Sequence, residues 1–337
     1  MQAMYIHIGS NLRWIVKRGD FLSYSFTSIP SLTLLNPLLY SQLPHAGFSR
    51  PNEHLLSFVG SDKAIISSTE LVILSDLSFE SGSDHWNHLM ERISLLLLKL
   101  RHSSKQADLS DEVHGLVPFQ IGELPPLDES IFTKKTSGMM RTYLADTAVD
   151  WSSLATIDQD ISNFSPPIFD TILLDAIQAL WRGDNRKAIL YAAIAVETLA
   201  NSVLDDAYEK LIQTGDSTGR FRLVTLTVEG DKTVTKDPVC EALSQKTDFG
   251  LLIHERSLYL LGRSILTEDQ PLYGKAKKLY YTRNKIVHWG EPSSEHDTFK
   301  INRTDAQKAV ACAIDVFKWF GFIGYSHISK MDTWTKY

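Results

Sequence analysis

Residues 188–196 read AILYAAIAV, nine positions in a row without a charge. They lie inside a helical pattern that runs from about Arg186 to Lys210. A helix that is apolar nearly all round must be covered nearly all round, so it calls for a bundle of partners. The flanking sequence supplies them. FDTILLDAIQALWR (169–182) places Ile172, Leu173, Ala176, Ala179 and Leu180 on one helical stripe, and Gly183-Asp184-Asn185 breaks it, with Asp184 or Asn185 ready to cap the next helix. Helical spacing returns in FGLLIHERSLYLLGRSIL (249–266), in QPLYGKAKKLYYTRNKIVHW (270–289) and in TDAQKAVACAIDVFKWFGFIGY (304–325). The last of these carries Val310, Ala313, Ile314, Phe317 and Phe320 on a broad stripe, with Thr304 or Asp305 near its start. Between Gly215 and Pro238 the pattern alternates around a Gly-Asp turn, which predicts a β-hairpin at about 221–236. Residues 167–328 are thus expected to form an all-α bundle of about five helices with a hairpin insertion, followed by a tail at 329–337.

The N-terminal part has a different texture. AMYIHI, LRWIVKR, FLSYSFTSI, LLSFVG, KAIISS and ELVILSDL are short, rich in β-branched and aromatic residues, and punctuated by Gly, Ser, Asn and Asp, so each is expected as a strand. Ser83 or Asp84 then offers an N-cap, and HWNHLMERISLLLLKLRH has amphipathic spacing at Leu89, Ile93, Leu96, Leu97 and Leu100. Residues 1–150 are expected as an α+β domain and 151–166 as a linker, with the helical bundle to follow.

With 43% hydrophobic and 22% charged residues the chain can bury proper cores. Its net charge of −6 argues against a general polyanion coat, though not against a local basic cleft. The two cysteines, Cys240 and Cys312, are far apart, so no disulfide framework or zinc site is readable and a reducing, cytoplasmic setting is expected. The N-terminus lacks the long apolar run of a signal peptide, and ISLLLLKL (93–100) is too short to span a bilayer, so no membrane association is expected. In DHWNH (84–88) two histidines stand three apart beside Asp84, but no third ligand is visible nearby. Neither a Walker loop, a GxGxxG, a serine nucleophile elbow nor a Cys-His signature occurs, and no cofactor is expected.

The chemistry gathers in YYTRNKIVHWGEP (280–292). Gly290 and Pro292 read as a helix stop, and just before it stand Arg283, Asn284 and His288. An Arg, a polar residue, three further residues and His near a helix end, about 90 residues after an all-apolar helix, resembles the HEPN family, and its Apea-like branch more closely. The phrases FDTILLDAIQALWRGDNRKAILYAAIAVETLA and LYYTRNKIVHWGEP carry that resemblance, which covers roughly 165–328. It implies a metal-independent endoribonuclease of the toxin or antiviral-defence kind, leaving cyclic-phosphate and 5′-hydroxyl ends. It also implies a homodimer with a composite site, since each protomer brings one such histidine and a two-fold interface doubles it. The alternative within the family is a domain that does not cut, and instead binds nucleotide or RNA or serves as a dimerising module. An antitoxin or trigger protein would then be a further partner, with the N-terminal domain sensing the trigger or restraining the nuclease.

The residue types suit that chemistry. Without a metal, RNA is cleaved by its own 2′-hydroxyl, so one group must take that proton and another must protonate the leaving 5′ oxygen. Histidine, with an ordinary pKa of about 6.5, suits both. The permanently charged fork of Arg283 suits the non-bridging phosphate oxygens. Asn284 lies four residues before His288, hence on one helix face, where it can orient the imidazole or bond the phosphate. Glu197, just after the apolar run, either aims Arg283 by pairing with it, pairs with another base, or lies at a solvent gap. Tyr280 and Tyr281 are candidates to stack on RNA bases or simply to pack, and Lys277 and Lys278 to attract phosphate or form a solvated face.

Overall fold

The computed structural model describes residues 2–29, 32–43, 57–58, 63–75, 84–107, 109, 113–120, 123–124, 148–159, 161–228, 232–245, 248–289, 301–322 and 324–325. Ser83, Gly290, Pro292 and the 329–337 tail lie outside the described residues. The chain divides into two compact units, Met1–Pro166 and Pro167–Tyr337. The first is mostly β and the second helical.

The first unit is built on two long strands, β1 (Gln2–Lys17) and β5 (Lys63–Ser75), which pair antiparallel. The shorter strands are β2 (Ser23–Ser25), β3 (Thr33–Leu35), β4 (Ser57–Phe58), β6 (Gly115–Gln120) and β7 (Val149–Asp150). The sheet order is β2-β3-β5-β1-β6, with β4 also on β5 and β7 running parallel to β1. Two strand expectations are corrected here. AMYIHI and LRWIVKR form one strand, because pairing resumes on both sides of Gly9-Ser10-Asn11 and a register shift between His7 and Leu12 absorbs the extra residues. KAIISS and ELVILSDL likewise fuse into β5. Partners on both sides of the shift, Met4 with Ile73 and Trp14 with Ile66, still point into one core.

Helix α1 (Asp84–Ser104) contributes to that core, and Leu89, Ile93, Leu96, Leu97 and Leu100 are all buried as the spacing predicts. The stretch expected as a linker belongs to the first unit. It coils into short helical turns that bury Trp151, Leu154, Ile157 and Ile161 in the same core, with Trp151 edge-on to Trp14 at 5.4 Å. Its Asp158 is pinned by Thr27 N–H at 2.7 Å, Ser28 N–H at 3.0 Å and the hydroxyls of Thr27, Ser28 and Tyr24. Its polar composition had concealed these four apolar anchors.

In the second unit, α2 (Ile168–Trp181) and α3 (Asn185–Thr214) form a hairpin around the Gly183 break, and Asp184 caps α3 by accepting from Lys187 N–H at 3.1 Å. Helix α4 (Pro238–Ser244) follows the hairpin of β8 (Val224–Val228) and β9 (Lys232–Lys236). Helices α5 (Gln270–Trp289) and α6 (Arg303–Trp319) complete the bundle, and α2, α5 and α6 all pack on α3. By length and composition α3 is apolar enough to cross a membrane, the one such helix among the described residues, and half of its most apolar window is buried inside the unit. Ala192, Ala193, Ala195, Val196, Leu199, Ala200 and Leu204 are nearly or wholly buried, and the alanines among them are small enough to admit neighbouring helices closely.

Three boundaries differ from expectation. The 249–266 pattern is a helix with a π-helical stretch at Leu252–Arg256, ended by Gly262 in the left-handed conformation at φ +73°. The last helix is capped by Asn302, whose side chain accepts from Asp305 N–H while Asp305 accepts from Asn302 N–H. It stops at Trp319, before Gly321 at φ +98°. Beyond it Tyr325, buried, donates its hydroxyl to the Asp170 carboxylate in the first turn of α2.

Candidate functional site

The last two turns of α5 carry the cluster. At about 100° per residue, Asn284 and His288 share a face, whereas Arg283 springs from a point about 100° around the helix from Asn284. The long side chain makes up that difference: Arg283 Nη1 donates to Asn284 Oδ1 at 2.8 Å. The guanidinium is held from another side by Tyr280, whose ring centre lies 5.5 Å away. Tyr280 is in turn stacked on Phe249, with centroids 4.9 Å apart and planes at 11°. Arg283 and Asn284 are partly exposed and His288 is exposed, with no hydrogen-bond partner among the described residues.

The turn at Phe249–Leu251 packs against α5 ahead of the cluster, where Phe249 meets Tyr280. Asp248 caps it, accepting from Gly250 N–H at 2.6 Å and Leu251 N–H at 3.2 Å. A Cβ at Gly250 would lie 3.0 Å from Tyr273 Oη and from Asp248 Oδ1, so the turn seats close against α5 and a larger residue would make those side chains shift. Burial and the nearby Glu197 and Asp248 carboxylates push the Tyr280 phenol above its ordinary pKa, while Arg283 pulls it down. Glu197 therefore faces the Tyr280–Arg283 group across the bundle. It makes no ion pair with Arg283 among the described residues, and the hydrogen bond of Arg283 runs to Asn284 instead.

The candidates sort themselves by exposure. Tyr280 is half-buried, its ring stacked on Phe249 with the Arg283 guanidinium 5.5 Å from its centre. Tyr281 is 60% exposed, with Lys285 Nζ 4.6 Å from its ring centre. Lys277 and Lys278 are both exposed, Lys277 Nζ lying 5.7 Å from the Tyr273 ring centre. The side chain of His85 in DHWNH lies outside the described residues, and no group of three or more metal-ligating side chains occurs among those described.

Sequence reasoning missed Arg256. It sits in the π-helical stretch, only 4% exposed, and its guanidinium bonds Asp205 Oδ1 at 2.5 Å and Asn201 Oδ1 at 3.2 Å, both on α3. The central helix carries an ion pair here, two turns beyond Glu197. It also missed Asp237, fully buried at the root of the hairpin. That carboxylate accepts from Arg222 N–H at 2.7 Å, Tyr259 Oη at 2.8 Å, Val239 N–H at 2.8 Å and Cys240 N–H at 3.0 Å. Burial pushes the Asp237 carboxyl up, but these four bonds outweigh it and hold it below the ordinary value. The Asp-Pro step at 237–238 was the available signal, since it marks a capped helix start.

Compared with protein-family models, with curated proteins and with solved structures, the chain finds no match.

Proposed function

We propose that the helical unit is a metal-independent endoribonuclease of the HEPN type, with Arg283, Asn284 and His288 as its catalytic residues. The observation that carries this reading is the exposed imidazole of His288 on the same face as Asn284, whose amide oxygen draws the Arg283 guanidinium round to that face. In the reaction, His288 of one protomer takes the proton of the 2′-hydroxyl, whose oxygen bonds to phosphorus. The bond to the 5′ oxygen breaks, and the symmetry-related histidine of a second copy supplies the proton that oxygen needs. Arg283 holds the non-bridging oxygens as charge builds on them. Products are a 2′,3′-cyclic phosphate and a 5′-hydroxyl. A homodimer is part of the proposal, as is a role in toxin or antiviral defence in which the β-rich unit senses a trigger or restrains cleavage.

The deciding assay incubates the protein with RNA in EDTA, beside His288→Ala and Arg283→Ala. Cleavage by wild type alone supports the proposal; identical behaviour of all three proteins removes it. A second reading, a HEPN-type domain that binds RNA or dimerises without cutting, is favoured by the contacts of Arg283, which run to Asn284 and Tyr280 of its own chain. It predicts bound RNA and no products.

A further inference from the structure

Helix α5 reads QPLYGKAKKLYYTRNKIVHW: five Lys or Arg and no carboxylate, in a chain of net charge −6. The charge is also sorted around the helix. At about 100° per residue, Lys277, Lys278, Tyr281, Asn284, Lys285 and His288 fall within an arc of about 120°. That stripe runs along the axis for about 16 Å, at 1.5 Å per residue. Lys275 projects from another side, where it faces Asp315 on α6. The carboxylates that face the inner side, Glu197 and Asp248, act on Tyr280. On the outer stripe Lys277 and Lys278 are exposed, have no ion pair among the described residues, and keep their positive charge.

We propose that this stripe is a binding track for single-stranded RNA, with Tyr281 as the stacking residue and Lys277 and Lys278 as phosphate contacts. Charge complementarity commits the face to a polyanion, and the exposed tyrosine selects among polyanions. A base offers its face to a ring only when its neighbours do not cover it, so Tyr281 favours unpaired over duplex RNA. Lys285 covers part of the ring, and at 60% exposure the ring has surface left for a base. The sequence alone treats the two adjacent tyrosines alike; the structure separates them, Tyr280 being half-buried against Phe249 and Tyr281 open. One turn beyond Tyr281 the track reaches Asn284 and then His288, so a strand held on it brings a phosphodiester to those groups. The inference rests on the ribonuclease reading for its choice of RNA, but its test does not require cleavage.

The probe is a short fluorescent 2′-O-methyl RNA without secondary structure, whose blocked 2′ oxygens cannot attack, titrated by anisotropy in EDTA. Wild type is expected to bind it, and to bind the same strand in a duplex at least about ten-fold more weakly. Tyr281→Ala is expected to lose about ten-fold in affinity and Tyr281→Phe to retain it. Replacing Lys277 and Lys278 by Gln should flatten the plot of log affinity against log salt by about 1.4. Duplex preference, no strand binding, or unchanged binding by Tyr281→Ala overturns the assignment. So does a Tyr281→Ala that disrupts self-association in sedimentation while strand binding is untouched, which would make the face a protein interface. Strand binding lost in Tyr281→Ala, in a protein that cleaves nothing, leaves the track standing and removes only the nuclease.

Discussion

Two arginines of the helical unit meet an asparagine amide oxygen, and their surroundings diverge from there. Arg256 is closed in, 4% exposed, and neutralised by Asp205 at 2.5 Å as well as bonded to Asn201. Arg283 is partly open, makes no ion pair with a carboxylate among the described residues, and rests on Asn284 and the Tyr280 ring. In both, Nε is buried without a hydrogen-bond partner among the described residues, so each guanidinium is held by its outer nitrogens. The lesson concerns residual charge. A guanidinium paired with a carboxylate of its own fold has its charge cancelled, whereas one steadied by an amide and an aromatic face keeps a net positive charge.

That contrast can be broken by substitution. The largest expected effect is on activity: His288→Ala and Arg283→Ala should each lower RNA cleavage by at least about 100-fold. Their melting temperatures should stay within about 2 °C of wild type, because neither side chain fills the core. A comparable loss of stability in Arg283→Ala would erase the distinction from Arg256. Next comes Asp205→Ala, which strands the buried Arg256 cation with Asn201 alone and should cost about 3 kcal/mol in urea unfolding. Cleavage per folded molecule should survive it, which a coupled assay of folded fraction and rate would check.

Asp237 gives a smaller and pH-dependent effect. Asp237→Asn should destabilise the helical unit by about 2 kcal/mol at neutral pH. Because the folded carboxyl lies below its unfolded value, its stabilisation is complete above the ordinary carboxylate pKa of about 4. It is lost as pH falls through the lower folded value, so the gap between wild type and Asp237→Asn should narrow on acidification. A gap that stays constant below pH 4 would mean the carboxylate charge contributes nothing. The smallest change is Tyr280→Leu, which keeps apolar contact with Phe249 but removes the ring under Arg283. A loss of about 0.5–1 kcal/mol of guanidinium positioning, read as a drop of a few-fold in cleavage rate, is expected.

Much of this architecture was legible because periodicity reports burial. The α1 stripe from Leu89 to Leu100 and the apolar face of α3 are one-dimensional patterns that survive folding unchanged. Legibility ended where backbone geometry departs from a simple period. The register shift in β1 looks like a turn in sequence, and Arg256 lies buried in the π-helical stretch at Leu252–Arg256, where an α-helical reading left it unremarked. In the 151–166 segment Trp151, Leu154, Ile157 and Ile161 stand three, three and four apart, a helical spacing that the surrounding polar residues and Pro166 hid behind a linker reading, and each of them is buried. Within the site, spacing placed Asn284 and His288 on one face, but the reach of Arg283 to Asn284 and the opposite fates of Tyr280 and Tyr281 depend on rotamers and on the distant turn at Phe249.

The hairpin has a consequence of its own. Arg222 and Asp237, which bound it, are joined by a 2.7 Å hydrogen bond, so the chain leaves the bundle and returns to it at practically one point. An excursion with coincident ends leaves the helices indifferent to its length. Swapping β8 and β9 for a tight turn, or for a longer loop, should leave the bundle's geometry intact, which makes this the place where insertions can accumulate and new specificities be grafted.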